Sequence, residues 1–409
     1  MAVSALEQRL ISALEQMAII DAHEHLPPEE VRTDTKVDVL TLFSHYTQGD
    51  LQVAGMSEAE YSATQNHNLP LDYRWRLFSP YWEQIRRGSY ARAALIAARN
   101  FYQAEDINEN TYVEISDRMA KANTPGIYQR VLGEACNIRT SLTQCRRTDL
   151  GTPLLTPVMP LVYEMETWAQ VSRPAMDPSA HINSLDDLLG VGRSYASRLK
   201  SEGTVGLKMA SNPYQEPSRQ AAQECFENLR RGTASSLPSR NPLRDYFVDE
   251  MIRIAGELDL VVCVHTGYWG DFRVLDPLHM IPILERHPKV RFDLYHLGYP
   301  WVRESLMLGK GFPNVWLNFC WTHIISQRFA MDGLDEAIDL IPMNKIIGFG
   351  GDYATPVEKV YGHLVMARED IAAVLARRIE RGSVSEDEAL SLARQWLWDN
   401  PKELYRLKV

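Results

Sequence analysis

The chain carries only five cysteines in 409 residues, Cys136, Cys145, Cys225, Cys263 and Cys320. They are odd in number and form no CxxC pair, which argues against a disulfide framework and a thiolate zinc site and leaves them as structural thiols. Positive charge is also in deficit: 43 Lys and Arg against 53 Asp and Glu give a net charge of −10. That balance repels phosphate backbones and anionic lipid surfaces, so neither nucleic acid nor a membrane is expected as a partner. No apolar run approaches the ~20 residues needed to cross a bilayer. The first twenty residues hold Glu7 and Glu15 and no continuous apolar h-region, which suits an amphipathic helix rather than a signal peptide. A cytoplasmic protein is expected. There is no internal repeat or low-complexity tract, and 45% hydrophobic with 23% charged residues is ordinary globular composition. What remains is a compact enzyme or binding protein. Its whole length, 1–409, can form one domain, because α/β barrels commonly exceed the ~150 residues of an average one.

Short apolar runs recur along that length. Ala18 to Leu26 enters a polar cluster, as a buried strand does when functional residues stand at its end. Further strands are expected at 137–143, 154–162, 205–209, 260–266, 290–296, 315–319 and 345–352, eight in all. Helical patterns lie between the later ones, at 184–201, 241–258, 277–286, 300–309 and 334–340. Strands alternating with helices imply right-handed crossovers and a parallel sheet, and an eightfold alternation favours a (β/α)8 TIM barrel. One interval breaks the rhythm. Residues 27–135 hold no convincing strand, and Tyr73 to Tyr102 threads aromatics and arginines through helical spacing. This predicts a helical insertion after the first strand, leaning over the barrel mouth, with most of its aromatics packed into a core of its own. Near the C-terminus Ser385 is followed three residues later by Glu388, a capping-box signature for a final helix.

Side chains two apart on a strand point the same way, so His23 and His25 face one side at the end of the first strand while Glu24 points away. Two imidazoles so held are half of a first-row metal site, although an HxH pair also occurs on surfaces and in cores. Other residues of ligand type recur at strand ends: His265 ends the fifth expected strand, His296 the sixth and Asp352 the eighth. In a barrel, strand C-termini form the catalytic face, and a chance coincidence of this kind there is improbable.

The order HxH, Lys in GLKM, His in VHTG, His in YHLGYP and Asp in GGDY resembles the amidohydrolase superfamily, and within it the amidohydrolase-2 branch. It is similar to the amidohydrolase-like portion of the fungal FluG and plant nodulin-related proteins and, more distantly, to uronate isomerases. The resemblance is strongest from Val205 to Leu407, includes Ile20 to His25 and is loose across the insertion. It implies that His23, His25 and Asp352 hold a divalent metal, with His265 as a further ligand. Zinc is the default for such a donor set, with Mn, Fe and Ni as alternatives, and one ion is favoured over two. His296 is then expected to face substrate as acid, base or polarising group, or to bind a second ion if the site is binuclear. Lys208 has three readings: a carbamate bridging two metals, an ammonium that pairs with a substrate carboxylate, or a lysine reaching an acid at the rim. The second is preferred.

Tyr353, Tyr299 and His323 follow site residues or strand ends closely enough to touch substrate, with half-buried packing and a surface loop as the ordinary alternatives. Arg74 and Arg76 flank Trp75 and could clamp a carboxylate, or simply form a solvated helix face. His45, His67, His181, His279, His287 and His363 are expected to be ordinary. The expected activity is metal-assisted hydrolysis of an amide, lactone or ester in a small carboxylated or ring-bearing molecule, with Asp352 moving the proton. Isomerisation of a sugar acid, decarboxylation or hydration on the same barrel is the first alternative, and a non-catalytic metal-bound scaffold the second. A homo-oligomer is compatible with all of this.

Overall fold

The computed structural model describes residues 4–146 and 154–409. The expected apolar runs form eight parallel strands: β1 (Ile19–Glu24), β2 (Ile138–Thr143), β3 (Leu155–Pro160), β4 (Gly206–Ala210), β5 (Val261–His265), β6 (Phe292–Tyr295), β7 (Val315–Asn318) and β8 (Ile346–Ile347). Each pairs with the next in chain order. Beyond β8 the chain turns back onto β1: Ala22 N donates to Phe349 O at 3.1 Å, Asp352 N to His23 O at 2.9 Å and His25 N to Tyr353 O at 3.1 Å. These bonds bring the ends of the sheet together as a TIM barrel.

β8 is much shorter than the run 345–352, because Gly348, Gly350 and Gly351 take the chain out of regular pairing. A Cβ on Gly350 would stand 2.9 Å from His23 N, so the close approach of this segment to β1 requires glycine. It carries Asp352, at φ +63°, to the end of β1. The barrel interior is a narrow core that includes Ile20, Ala22, Leu142, Val158, Cys263, Tyr295 and Ile347. A larger apolar layer lies between strands and surrounding helices.

The segment after β1 is helical, as expected, but Tyr73 to Tyr102 is two helices, Leu71–Ile85 and Ser89–Tyr102, separated at Gly88. Trp75, Phe78, Trp82, Tyr102 and Tyr112 pack with Phe43 and Leu51 into a core separate from that of the barrel. The insertion is fastened to the long helix Glu358–Glu380, where a Cβ on Gly362 would overlap the Ala93 carbonyl. Arg32 Nη2 meets Glu358 Oε1 at 2.7 Å, and Tyr102 OH donates to the same oxygen at 2.6 Å. That long helix was not among the expected ones. It buries residues on every side, so no amphipathic stripe marks it, and no side chain caps its start. The capping box does form: Ser385 N donates to Glu388 Oε2 at 2.8 Å and Glu388 N to Ser385 Oγ at 3.2 Å.

The last helix, Asn400–Tyr405, places a phenol in the barrel interior, where Tyr405 OH donates to Asp293 Oδ2 at 2.6 Å. No cysteine is in a disulfide. Among the described residues, no helix is long and apolar enough to cross a membrane.

Candidate active site

The strand ends bring His23, His25, Lys208, His265, His296 and Asp352 to one place. His23 Nε2 lies 3.0 Å and His25 Nε2 3.2 Å from Asp352 Oδ1. Lys208 Nζ lies 2.9 Å and 3.3 Å from the same two nitrogens. One imidazole nitrogen cannot donate to a carboxylate and accept from an ammonium at once. A divalent cation removes this conflict, because both neutral imidazoles and the carboxylate can then direct lone pairs at it. That carboxylate oxygen, Asp352 Oδ1, and His265 Nε2 are both buried without a hydrogen-bond partner. The residues present therefore fit a metal ion, and imidazole with carboxylate suits Zn, Mn, Fe or Ni.

Donor atoms of His23, His296 and Asp352 lie within 4.8 Å of one another, a grouping of metal-site dimensions. His265, expected as a ligand, is one hydrogen bond further out, its Nδ1 3.0 Å from His296 Nε2. His296, expected to face substrate, has its Nδ1 3.2 Å from Cys320 O and 3.9 Å from Asp352 Oδ2. Both histidines line the cavity.

The surroundings fix these groups. Asp21 Oδ1 accepts from Gly351 N at 3.0 Å and from His23 N at 3.3 Å, and its Oδ2 accepts from Ser141 Oγ at 3.0 Å. Glu24 Oε2 accepts from Tyr353 N at 2.6 Å. Glu24 thus points away from the histidines, as the strand period requires, and its carboxylate ties β1 to the segment that carries Asp352. Burial pushes Asp21 up to about 6, against hydrogen bonds that favour its anion. Burial and the neighbouring Asp21 hold Glu24 well above the usual carboxylate range. On the other side, the Tyr295 ring lies 4.4 Å from that of His23.

Burial also dominates the site's charge states. It takes His265 down to about 3, with Lys208 adding to the effect. His23 is held well below the ordinary imidazole value by burial and then Lys208, and His296 by burial and then His265. All three are neutral at pH 7, as metal donors and proton acceptors must be. Burial lowers Lys208, although Asp352 opposes it. For Asp352 burial favours the acid, but the imidazoles of His23 and His25 beside it outweigh that and hold the carboxyl well below its ordinary range.

The cluster opens into a cavity of about 360 Å³, walled by Tyr46, Tyr163, Tyr268, Trp269 and Trp321 with Pro160, Leu161 and Met209. Three residues expected there are elsewhere. His323 is fully buried, with Nδ1 2.9 Å from Asp370 Oδ2 and Nε2 3.1 Å from Gly348 O. Both ring nitrogens are used in joining the long helix to the end of β8, so none is left for substrate. Tyr353 is buried behind the wall, its ring 6.3 Å from that of Tyr46. Arg76 lies on a solvated helix face, 67% exposed and paired with Asp72 at 3.0 Å. Its neighbour Arg74 is buried on Asp38, Thr64 O and Leu69 O.

Two residues of the insertion take their place. His45 and Tyr46 both line the cavity, which corrects the expectation that His45 is ordinary. His45 has a left-handed backbone at φ +65°, its Nδ1 is buried without a partner, and burial takes its pKa down to about 4. No spacing in the sequence marks it, because its position depends on how the insertion folds back over the mouth.

A barrel with ligand-type side chains gathered at its strand C-termini is the architecture of a metal-dependent enzyme. Residues 194–407, more than half of the chain, match the amidohydrolase family, and the chain belongs to it. It is 23% identical over 469 aligned positions to a uronate isomerase of Xanthomonas campestris, covering 99% of this chain and 96% of that protein. It is 24% identical over 175 residues to the protein fluG of Emericella nidulans, which is 41% of this chain but only 20% of that protein. Among solved structures, glucuronate isomerase from Caulobacter crescentus superposes with a TM-score of 0.79 at 18% identity, covering 99% of this chain and 94% of the other.

Proposed function

We propose that this enzyme is a metal-dependent hydrolase that adds water to the carbonyl of an amide, lactone or ester in a small, ring-bearing, carboxylated molecule. The observation that carries the reading is Asp352. Its carboxylate is held anionic, with Oδ1 between two imidazoles and without a hydrogen-bond partner, beside a cavity of small-molecule size. His23, His25 and Asp352 would hold a divalent ion, with zinc as the default and one ion favoured because a cationic Lys208 would repel a second. A bound ion supplies a Lewis acid for the carbonyl and lowers the pKa of water toward neutrality.

The remaining work falls to the chain. Asp352 takes the proton from the attacking water and returns it to the leaving group, a task suited to a carboxylate that stays ionised. Neutral His296 and His265, hydrogen-bonded to each other, polarise the carbonyl or relay that proton. Lys208 meets the substrate carboxylate as an ammonium, and the aromatic wall excludes bulk water.

Uronate-type isomerisation is the second reading, supported by the correspondence with a uronate isomerase along nearly the whole of both chains. The test is to load the protein with zinc or manganese and follow two sets of compounds by NMR: aryl and alkyl lactones, esters and amides, and free uronates. Hydrolysis that depends on the ion and is lost in Asp352→Asn supports the first reading. Aldose–ketose interconversion of a uronate, with nothing hydrolysed, overturns it in favour of the second.

A further inference from the structure

The loop after β5 exposes three aromatic side chains, Tyr268 at 54%, Trp269 at 67% and Phe272 at 37%. Leaving rings of this size in water forgoes the gain of burying them, roughly 25 cal/mol per Å². The base of the loop is nonetheless firmly held. Thr266 Oγ1 donates to Tyr295 O at 2.6 Å, Gly267 N to Leu275 O at 2.9 Å and Tyr268 N to Tyr299 O at 2.6 Å. Gly267 has φ +88°, and a Cβ there would overlap the Tyr299 carbonyl, so only glycine fits the turn. The aromatic tip is therefore presented on a stapled base.

It is presented to the cavity. Tyr268 and Trp269 line the same space as Lys208, His265 and Asp352. The Trp269 ring stands edge to face with His265 at 5.4 Å, and Tyr268 lies within 5° of parallel to Trp321 at 6.3 Å. Exposed aromatics beside a polar reaction centre offer a surface for the face of another ring, which gains both burial and stacking. Pro160, Leu161 and Met209 on the same cavity wall add apolar surface against which a flat ring can pack.

From this arrangement we infer that Trp269, assisted by Tyr268, is a specificity-determining residue that stacks on the ring of the substrate, and that this ring is aromatic. The ligand class is an aromatic carboxylate, or an ester, amide or lactone of one. This deepens the proposed hydrolytic reading of the same site, but it is tested by binding and needs no turnover.

Dissociation constants for benzoate, cyclohexanecarboxylate, glucuronate and acetate are measured by NMR titration against zinc-loaded wild type, Trp269→Phe and Trp269→Ala. Benzoate is expected to bind most tightly, to weaken about tenfold in Trp269→Ala and to be largely restored in Trp269→Phe, while acetate does not distinguish the three proteins. Benzoate binding that is absent from the wild type, or equal in wild type and Trp269→Ala, overturns the inference. So does glucuronate binding more tightly than benzoate and being the ligand that the alanine variant weakens. That result would also favour isomerisation, whereas ring selectivity for benzoate without hydrolysis would leave the stacking role standing and remove only the hydrolytic reading.

Discussion

Lys208→Met probes the site where two cations compete for the same lone pairs. The ammonium nitrogen lies 2.9 Å from His23 Nε2 and 3.3 Å from His25 Nε2, the two nitrogens that also approach Asp352 Oδ1. An ion that takes those nitrogens must push Lys208 aside and tolerate it as a like charge. At about 5 Å and an effective dielectric of about 20, a dication and an ammonium repel by roughly 6 to 7 kcal/mol. Water in the cavity and retraction of the flexible side chain remove most of that. If about 1.4 to 2.8 kcal/mol remains, Lys208→Met binds zinc about 10- to 100-fold more tightly than wild type, at an unchanged one ion per chain. Burial lowers the pKa of Lys208, so the wild-type affinity should rise with pH as the ammonium loses its proton, and the variant should show a shallower rise. Competition with a chromophoric chelator at several pH values, together with elemental analysis, measures both quantities. A carbamylated Lys208 reverses the sign, because Met then deletes a bridging anion. Weaker binding in the variant, or two ions falling to one or none, would refute the competition argument.

Three further outcomes are expected. His296→Asn should keep its metal, since His23 and His25 both approach Asp352 Oδ1 without it, while turnover falls roughly 100-fold or more, as for a lost general acid or base; metal loss measured by elemental analysis would instead make His296 a ligand. Asp293 is buried and its pKa is pushed up to about 7, so it adds stability at low pH that is lost as pH rises from about 4 to about 7. Asp293→Asn should remove that loss, up to about 4 kcal/mol at 1.36 kcal/mol per pKa unit, because both Tyr405 OH and Asn318 Nδ2 donate to a single oxygen that an amide retains; calorimetry of metal-free protein across this range checks it, and a variant that melts lower than wild type at pH 8 contradicts it. Gly351→Ala would drive a Cβ into Glu24 Oε1 and disturb the hydrogen bond to Tyr353 N, costing about 2 to 4 kcal/mol in thermal or denaturant unfolding and weakening metal binding, whereas a wild-type midpoint would show that Glu24 can move freely.

Much of the barrel was legible in the residues themselves, because a strand buried on both faces must be short and apolar, and its polar end stands out. The runs ending in His25, His265, His296 and Asp352 could therefore be read one at a time, as could the two-residue period that turns Glu24 away from its flanking histidines. The Ser385–Glu388 box is equally local: a cap is closed within three residues and needs no partner from elsewhere. The long helix Glu358–Glu380 escaped because burial on all sides erases the stripe by which a helix is recognised.

Which polar groups share a point in space was decided only by tertiary structure. Closure of β8 onto β1 through three glycines carries Asp352 between His23 and His25, a meeting of residues more than three hundred positions apart. The fold of the insertion puts His45 and Tyr46 over that point and turns Arg76 out to solvent. His323 stands at the expected strand end, yet Asp370 and Gly348 O occupy both of its nitrogens. A sequence states which donors and acceptors exist and which face of an element they leave from. Whether each is free to meet a ligand depends on the partners that distant segments bring to it, and those are set by the packing of the whole barrel.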